Sequence, residues 1–135
     1  MDDYLRNYLV ALPIFILIDF TWIGVAMKNV YISEMGALAR VYDGKFKPNL
    51  PAALIAWALI PLGIVIFVVP RLTSGTQVIE VIGWGAMFGA ITYGIYDFTN
   101  LATLKGYTTK LTLIDTAWGA TLSAVVTTIV WLVAK

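Results

Sequence analysis

Four apolar runs divide the chain: about Leu5 to Met27, Pro51 to Val69, Val78 to Leu104, and Leu111 to Ala134. Each is long enough to cross a bilayer, which takes about 20 helical residues. Polar positions gather between the runs. The pattern predicts an all-α integral membrane protein, with residues 1–135 forming one domain of four transmembrane helices. The connector from Asn29 to Leu50 is too long for a simple turn. In it, Ser33 is a candidate N-cap, and Ile32, Met35, Leu38, Ala39 and Tyr42 recur at helical spacing. These predict a short amphipathic helix on the membrane surface. "PRLTSGTQ", from Pro70 to Gln77, reads as a loop at the opposite face.

The third run is sorted around its helix. Helical residues lie about 100° apart. Gly85, Ala86, Gly89, Ala90, Tyr93, Tyr96, Asp97, Asn100 and Thr103 then share one side, and Trp84, Phe88, Ile91, Ile95 and Phe98 the other. The bulky side suits lipid and the first side suits protein. Gly85 and Gly89 form a G-x-x-x-G, which lets helices approach closely. Gly119, Ser123 and Thr127 repeat the same step in the fourth run. The two small faces pack spans three and four together, or form the seam of a homodimer; a four-span chain is small, and a homodimer is expected.

Composition places the chain firmly in the membrane class: 60% hydrophobic, 13% charged, mean hydropathy +0.85, against about 25% charged in soluble domains. With no Cys and no His, a disulfide framework, a thiol nucleophile and an imidazole proton shuttle are excluded. No metal-ligand set and no cofactor motif is legible. The net charge of +1 and the lack of a basic patch with exposed aromatics point away from nucleic acid.

Charge does orient the spans. Lys28, Arg40, Lys45, Lys47, Lys105 and Lys110 fall on one side; Arg6, Arg71 and Lys135 fall on the other. The positive-inside rule puts loops 28–50 and 105–110 in the cytoplasm and both termini outside, in a bacterial inner membrane. The acidic start "MDD" and Asp19 in the first run argue against a cleaved signal peptide.

Three aspartates lie inside the runs, and a charged Asp at mid-bilayer costs upward of about 2.5 kcal/mol. "LIDFTW" at Leu17–Trp22 and "LIDTAW" at Leu113–Trp118 each set Asp three residues before Trp. Asp19 is nine positions from Lys28, Asp97 eight from Lys105, and Asp115 five from Lys110. Taking those lysines as the boundary, and about 1.5 Å per residue, two layers are expected. Asp19, Asp97 and Trp118 form the deeper one; Asp115, Asn100 and Trp22 form the shallower. No Lys or Arg lies within a span near them. The carboxyls therefore hold protons, bind a cation, line a wet cavity, or are covered by boundary lysines. Asp and Asn in spans also serve simply to bond helices together.

The stretch "GAMFGAITYGIYDFTNLATLKGY" followed by "IDTAWG" resembles a bacterial family of predicted membrane proteins, domain of unknown function 2177. The matching positions are Tyr96, Asp97, Thr99, Asn100, Ala102, Thr103, Leu104 and Lys105, then Asp115, Trp118 and Gly119, with Asp19, Trp22 and Gly24 in the first span. Where this family often carries Trp-Pro, the chain has Tyr107-Thr108. The resemblance spans essentially the whole chain and implies four spans; it implies no activity.

The residues leave three readings. The first is proton- or cation-linked transport of a small solute through a site of Asp19, Trp22, Tyr93, Tyr96, Asp97, Asn100, Asp115 and Trp118. The second is a lipid- or isoprenoid-binding protein, or an enzyme using a protonated Asp in an aromatic pocket. The third is an accessory subunit in which these groups only join helices; Gly85, Gly89, Gly119 and Ser123 are packing positions in all three.

Overall fold

A computed structural model describes residues 3–134. Lys135, counted above with the outer charges, and the first two residues of "MDD" lie outside that range. The first span is α1 (Asp3–Thr21), extended by a π-helical turn over Trp22–Ala26. After Met27 comes the short helix α2 (Lys28–Met35), a 3-10 turn (Gly36–Leu38), and a hairpin of β1 (Val41–Tyr42) and β2 (Lys45–Phe46). The second span is α3 (Leu50–Gly63), with a π-helical turn over Ile64–Val68 and a 3-10 turn over Val69–Arg71. Spans three and four are α4 (Val78–Thr103) and α5 (Thr109–Ala134). All four are long and apolar enough to cross a membrane.

Local chemistry sets the boundaries. Asn49 caps α3 through a bond from the Ala52 N–H (3.2 Å), with Pro51 in the first turn. Thr108 caps α5 through the Leu111 N–H (3.1 Å). Asp43 and Gly44 have φ of 51° and 70°, the two positive values a two-residue hairpin loop needs.

The helix between the first two spans starts earlier than its periodicity suggested. It runs on almost directly from α1 and ends at Met35, so Ser33 is not its N-cap. Tyr42, placed on the same helical face, sits in β1. The Asp43-Gly44 turn and Gly36, at φ 52°, break the helical continuation.

Spans three and four pack most closely. A Cβ on Gly89 would come 2.0 Å from the Gly119 carbonyl oxygen; one on Gly85 would come 2.8 Å from the Ala124 Cα. A Cβ on Gly119 would strike Tyr93 at 2.1 Å. The small faces thus join α4 to α5 within one chain, and this seam is not available to a second copy. The buried stripe on α4 is Val81, Gly85, Gly89, Tyr93 and Asp97. A four-residue step advances about 40° per turn beyond a full circle, so the stripe winds around the helix. By its end Tyr96 has been left outside it, 56% exposed. Phe88, assigned to lipid, instead turns its ring onto Gly63 of α3.

Two apolar clusters result. One fills the bundle with Ala11, Phe15, Ile64, Val65, Leu122 and Val126. The other closes the end that carries the loops, where Tyr31, Tyr107 and Leu111 meet Trp22, Met27 and Phe46. The aspartates lie between them.

Candidate functional site

Each aspartate is buried, and each accepts bonds from neutral donors. Asp19, on α1, takes the indole N–H of Trp57 from α3 (2.8 Å) and of Trp118 from α5 (2.9 Å). Asp97, on α4, takes the Tyr107 hydroxyl (2.5 Å) and the Thr116 hydroxyl (3.3 Å). Asp115, on α5, takes the Tyr31 hydroxyl (2.5 Å). Tyr31 in turn accepts from the Trp22 indole N–H (3.1 Å). Relative exposures of 3%, 0% and 7% for Asp19, Asp97 and Asp115 mean water supplies little of the solvation that a carboxylate needs. Among the described residues, no Lys or Arg pairs with them.

The Asp97 and Asp115 side chains also lie within interaction range of each other. This departs from the expected layers, which placed Asp97 deep with Asp19. The departure has a simple origin. Lys105 lies beyond the end of α4, so counting from it exaggerates depth. Asp97 is six residues before Thr103, the last residue of α4, and Asp115 is six after Thr109, the first of α5. A tight turn joins those ends, so the two carboxyls fall at one level. Two carboxylates held this near each other repel unless one takes a proton or a cation bridges them.

The rest of the predicted set is placed as follows. Trp118 lies level with Asp19, as its bond shows. Trp22 stacks on Trp118, with ring centres 4.1 Å apart and planes 3° apart; it thereby connects the Asp19 and Asp115 bonds. Tyr93 rests on Gly119, and its hydroxyl lies within electrostatic reach of all three aspartates. Asn100 sits at the end of α4, interacting with the Tyr107 and Tyr96 hydroxyls. Tyr96 sits at the edge of the site, bonded to Asn100 and within electrostatic reach of Asp97 and Asp115. Ser123 and Thr127 have buried hydroxyls with no partner among the described residues. They belong to the α4–α5 seam.

Four contributors were not anticipated from sequence: Tyr31, Trp57, Tyr107 and Thr116. Tyr31 and Tyr107 come from outside the spans and reach down onto the carboxyls. For Tyr107 this requires the turn at Gly106, whose φ is 87°. Burial, and then the Asp115 carboxyl, push the Tyr31 phenol above its ordinary pKa; burial and Asp97 do the same to Tyr107. Both therefore stay protonated donors at neutral pH. Above them, Glu34 on α2 accepts from Lys110 Nζ (2.9 Å) and from the Thr108 hydroxyl (2.8 Å). The bond from Lys110 is the main reason the Glu34 carboxyl lies below the usual range.

Among the described residues, no three acidic side chains converge as a metal site would require. Asp97 and Asp115 interact as a pair, and Asp19 is a third member with its own indole donors.

A family model covers residues 4–132, and its description is predicted membrane protein (DUF2177). The chain belongs to this family. DUF2177 is described only as a membrane protein, in agreement with four apolar helices, and assigns no activity to the site. No curated protein and no solved structure matched the chain.

Proposed function

We propose that this protein carries protons across a membrane, through a site near one face, as part of proton-linked transport of a small solute. Asp97 and Asp115 form the proton site. The observation that carries this reading is that both are buried close together on adjacent helices and accept bonds only from neutral hydroxyls among the described residues. A salt bridge would fix both as anions; here a proton is the smallest group that relieves the pair. Asp19, held by two indoles, serves as the fixed acceptor joining three spans.

The face is the cytoplasmic one of a bacterial inner membrane. Lys28, Arg40, Lys45, Lys47, Lys105 and Lys110 lie in or beside α2, the hairpin and the α4–α5 turn, against Arg6 and Arg71 at the other end, which supports that orientation by the positive-inside rule. The working unit is a homodimer, joined by a face other than the α4–α5 seam.

The test uses purified protein in lipid vesicles with an internal pH dye and an imposed pH gradient. The gradient should collapse faster than in empty vesicles, and Asp97→Asn with Asp115→Asn should abolish the difference. Equal rates for the double variant and the unaltered protein would refute the proposal, as would no collapse with either.

A second reading has its own support. A groove of about 250 Å³ opens beside the stacked indoles, lined by Leu17, Ile18, Thr21, Trp22, Ala26 and Trp118. It suits a lipid or isoprenoid chain. Mass spectrometry of gently extracted protein decides here: a co-purifying lipid lost on Trp118→Ala favours it, and its absence counts against it.

A further inference from the structure

We propose that α2 is a hinged lid over the Asp97–Asp115 pair, latched by Glu34 and plugged by Tyr31. The lid's role rests on the reading of that pair as the proton site.

The hinge is visible in the backbone at both ends of α2. On one side, the π-helical turn Trp22–Ala26 interrupts α1, closed by the Met27 N–H to the Trp22 carbonyl (2.8 Å). Such turns inside helices collect at functional sites. Met27 itself is non-helical, at φ −113° and ψ 10°. On the other side, Gly36 takes φ 52° and ψ −126°. The eight residues between can move as a unit while α1 and the hairpin stay in place.

The latch is a single side chain. Glu34 takes bonds from Lys110 and Thr108, both at the start of α5. Lys110 is well exposed, with 64% of its side chain accessible, so water competes directly for this contact. The plug is Tyr31, three residues earlier on α2 and 5% exposed. Its hydroxyl sits on Asp115. Lifting α2 withdraws that donor and opens Asp115 to the aqueous side. Tyr107, which belongs to the α4–α5 turn, stays on Asp97.

The chain has no cysteine, so Asp115→Cys places a single thiol beneath the lid. A water-soluble maleimide should modify it slowly while Glu34 is present. After Glu34→Ala the rate should rise about tenfold or more, the combined scale of one exposed ion pair and one hydroxyl–carboxylate hydrogen bond. An unchanged rate overturns the lid. Hydrogen exchange in a chain with native Asp115 gives a second reading: Glu34→Ala should speed exchange over Lys28–Met35 and leave the middles of α4 and α5 unchanged. If α2 exchanges as in the unaltered protein, the lid is likewise overturned. The two proposals separate cleanly. A lid that opens as stated, beside an Asp97→Asn/Asp115→Asn variant that still moves protons, refutes only the proton site. Proton movement lost in that variant with α2 exchange unaffected by Glu34→Ala refutes only the lid.

Discussion

Trp118 donates its indole N–H to Asp19 at 2.9 Å, joining the last span to the first. These residues come from the two Asp-x-x-Trp stretches, on antiparallel helices. Trp22, from the first stretch, completes the pairing by stacking on Trp118. The repeat is therefore two halves of one contact.

Asp19 accepts two indole N–H bonds, and an amide oxygen occupies only one of its two acceptor positions. Asp19→Asn should destabilise the protein by about 1–3 kcal/mol, the scale of one buried donor left unpaired. Asp19→Ala should cost more, since both indoles lose their acceptor. Unfolding of detergent-solubilised protein, followed by tryptophan fluorescence, measures both. Equal stability of the asparagine variant and the unaltered protein would mean that one of the bonds contributes nothing.

The α4–α5 seam tolerates no added carbon. Gly89→Ala or Gly119→Ala should lower stability by about 1–3 kcal/mol, the usual cost of overpacking. Gly83→Ala, where nothing lies within 4 Å, should not. Ser123→Ala removes a buried hydroxyl without a partner and should be close to neutral. Because the seam lies within one chain, chemical crosslinking should show the same oligomeric state for Gly89→Ala as for the unaltered protein.

Alkaline pH should weaken the site end of the bundle. Tyr31 and Tyr107 have folded pKa values raised above the ordinary phenol value of about 10. Their stabilisation is fully present below about pH 10 and declines as pH rises from there toward the folded values. The unfolding midpoint should hold steady from neutral pH to about 9 and then fall. Tyr107→Phe should lower the midpoint at neutral pH and make the alkaline fall shallower. A fall of unchanged slope would remove Tyr107 as its source.

Acid and salt should act on α2. The Glu34 carboxyl titrates below its ordinary value because of Lys110, so its contribution is present above about pH 4.5 and is lost as pH falls further. Protection of Lys28–Met35 against hydrogen exchange, taken relative to the intrinsic amide rate at each pH, should fall below that pH, and also at about 1 M salt, where screening reaches about 3 Å. Lys110→Ala should abolish the salt effect.

Much of this architecture was legible in the sequence because hydrophobic length dictates it. The four spans begin and end close to the apolar runs, and Trp118 falls level with Asp19 as residue spacing implies. The sequence was less informative wherever the chain leaves helical periodicity. Counting from Lys105 misplaced Asp97 because the helix ends earlier, at Thr103. Tyr96 was expected on the face of Asp97 because one broad side of the wheel reads as a single face, whereas the buried stripe within it winds about 40° per turn. Tyr31 and Tyr107 lie outside the runs, and only the backbone turns at Met27 and Gly106 bring them to the carboxyls. The hairpin did carry a signal, Asp43-Gly44, outweighed by a helical reading of the apolar residues around it.

The order of the donors along the chain bears on how such a protein is made. Spans enter a membrane in sequence during synthesis. Asp19 enters first and finds Trp57 as soon as the second span follows. Asp97 has Tyr107 only ten residues behind it. Asp115 arrives last, when Tyr31 has long been present. Asp19 and Asp97 thus each have a donor before the last span arrives, and α5 adds Thr116 and Trp118 as the closing pair. A ribosome-bound chain halted before α5 should already hold Asp19 and Asp97 in the bilayer with one bond apiece.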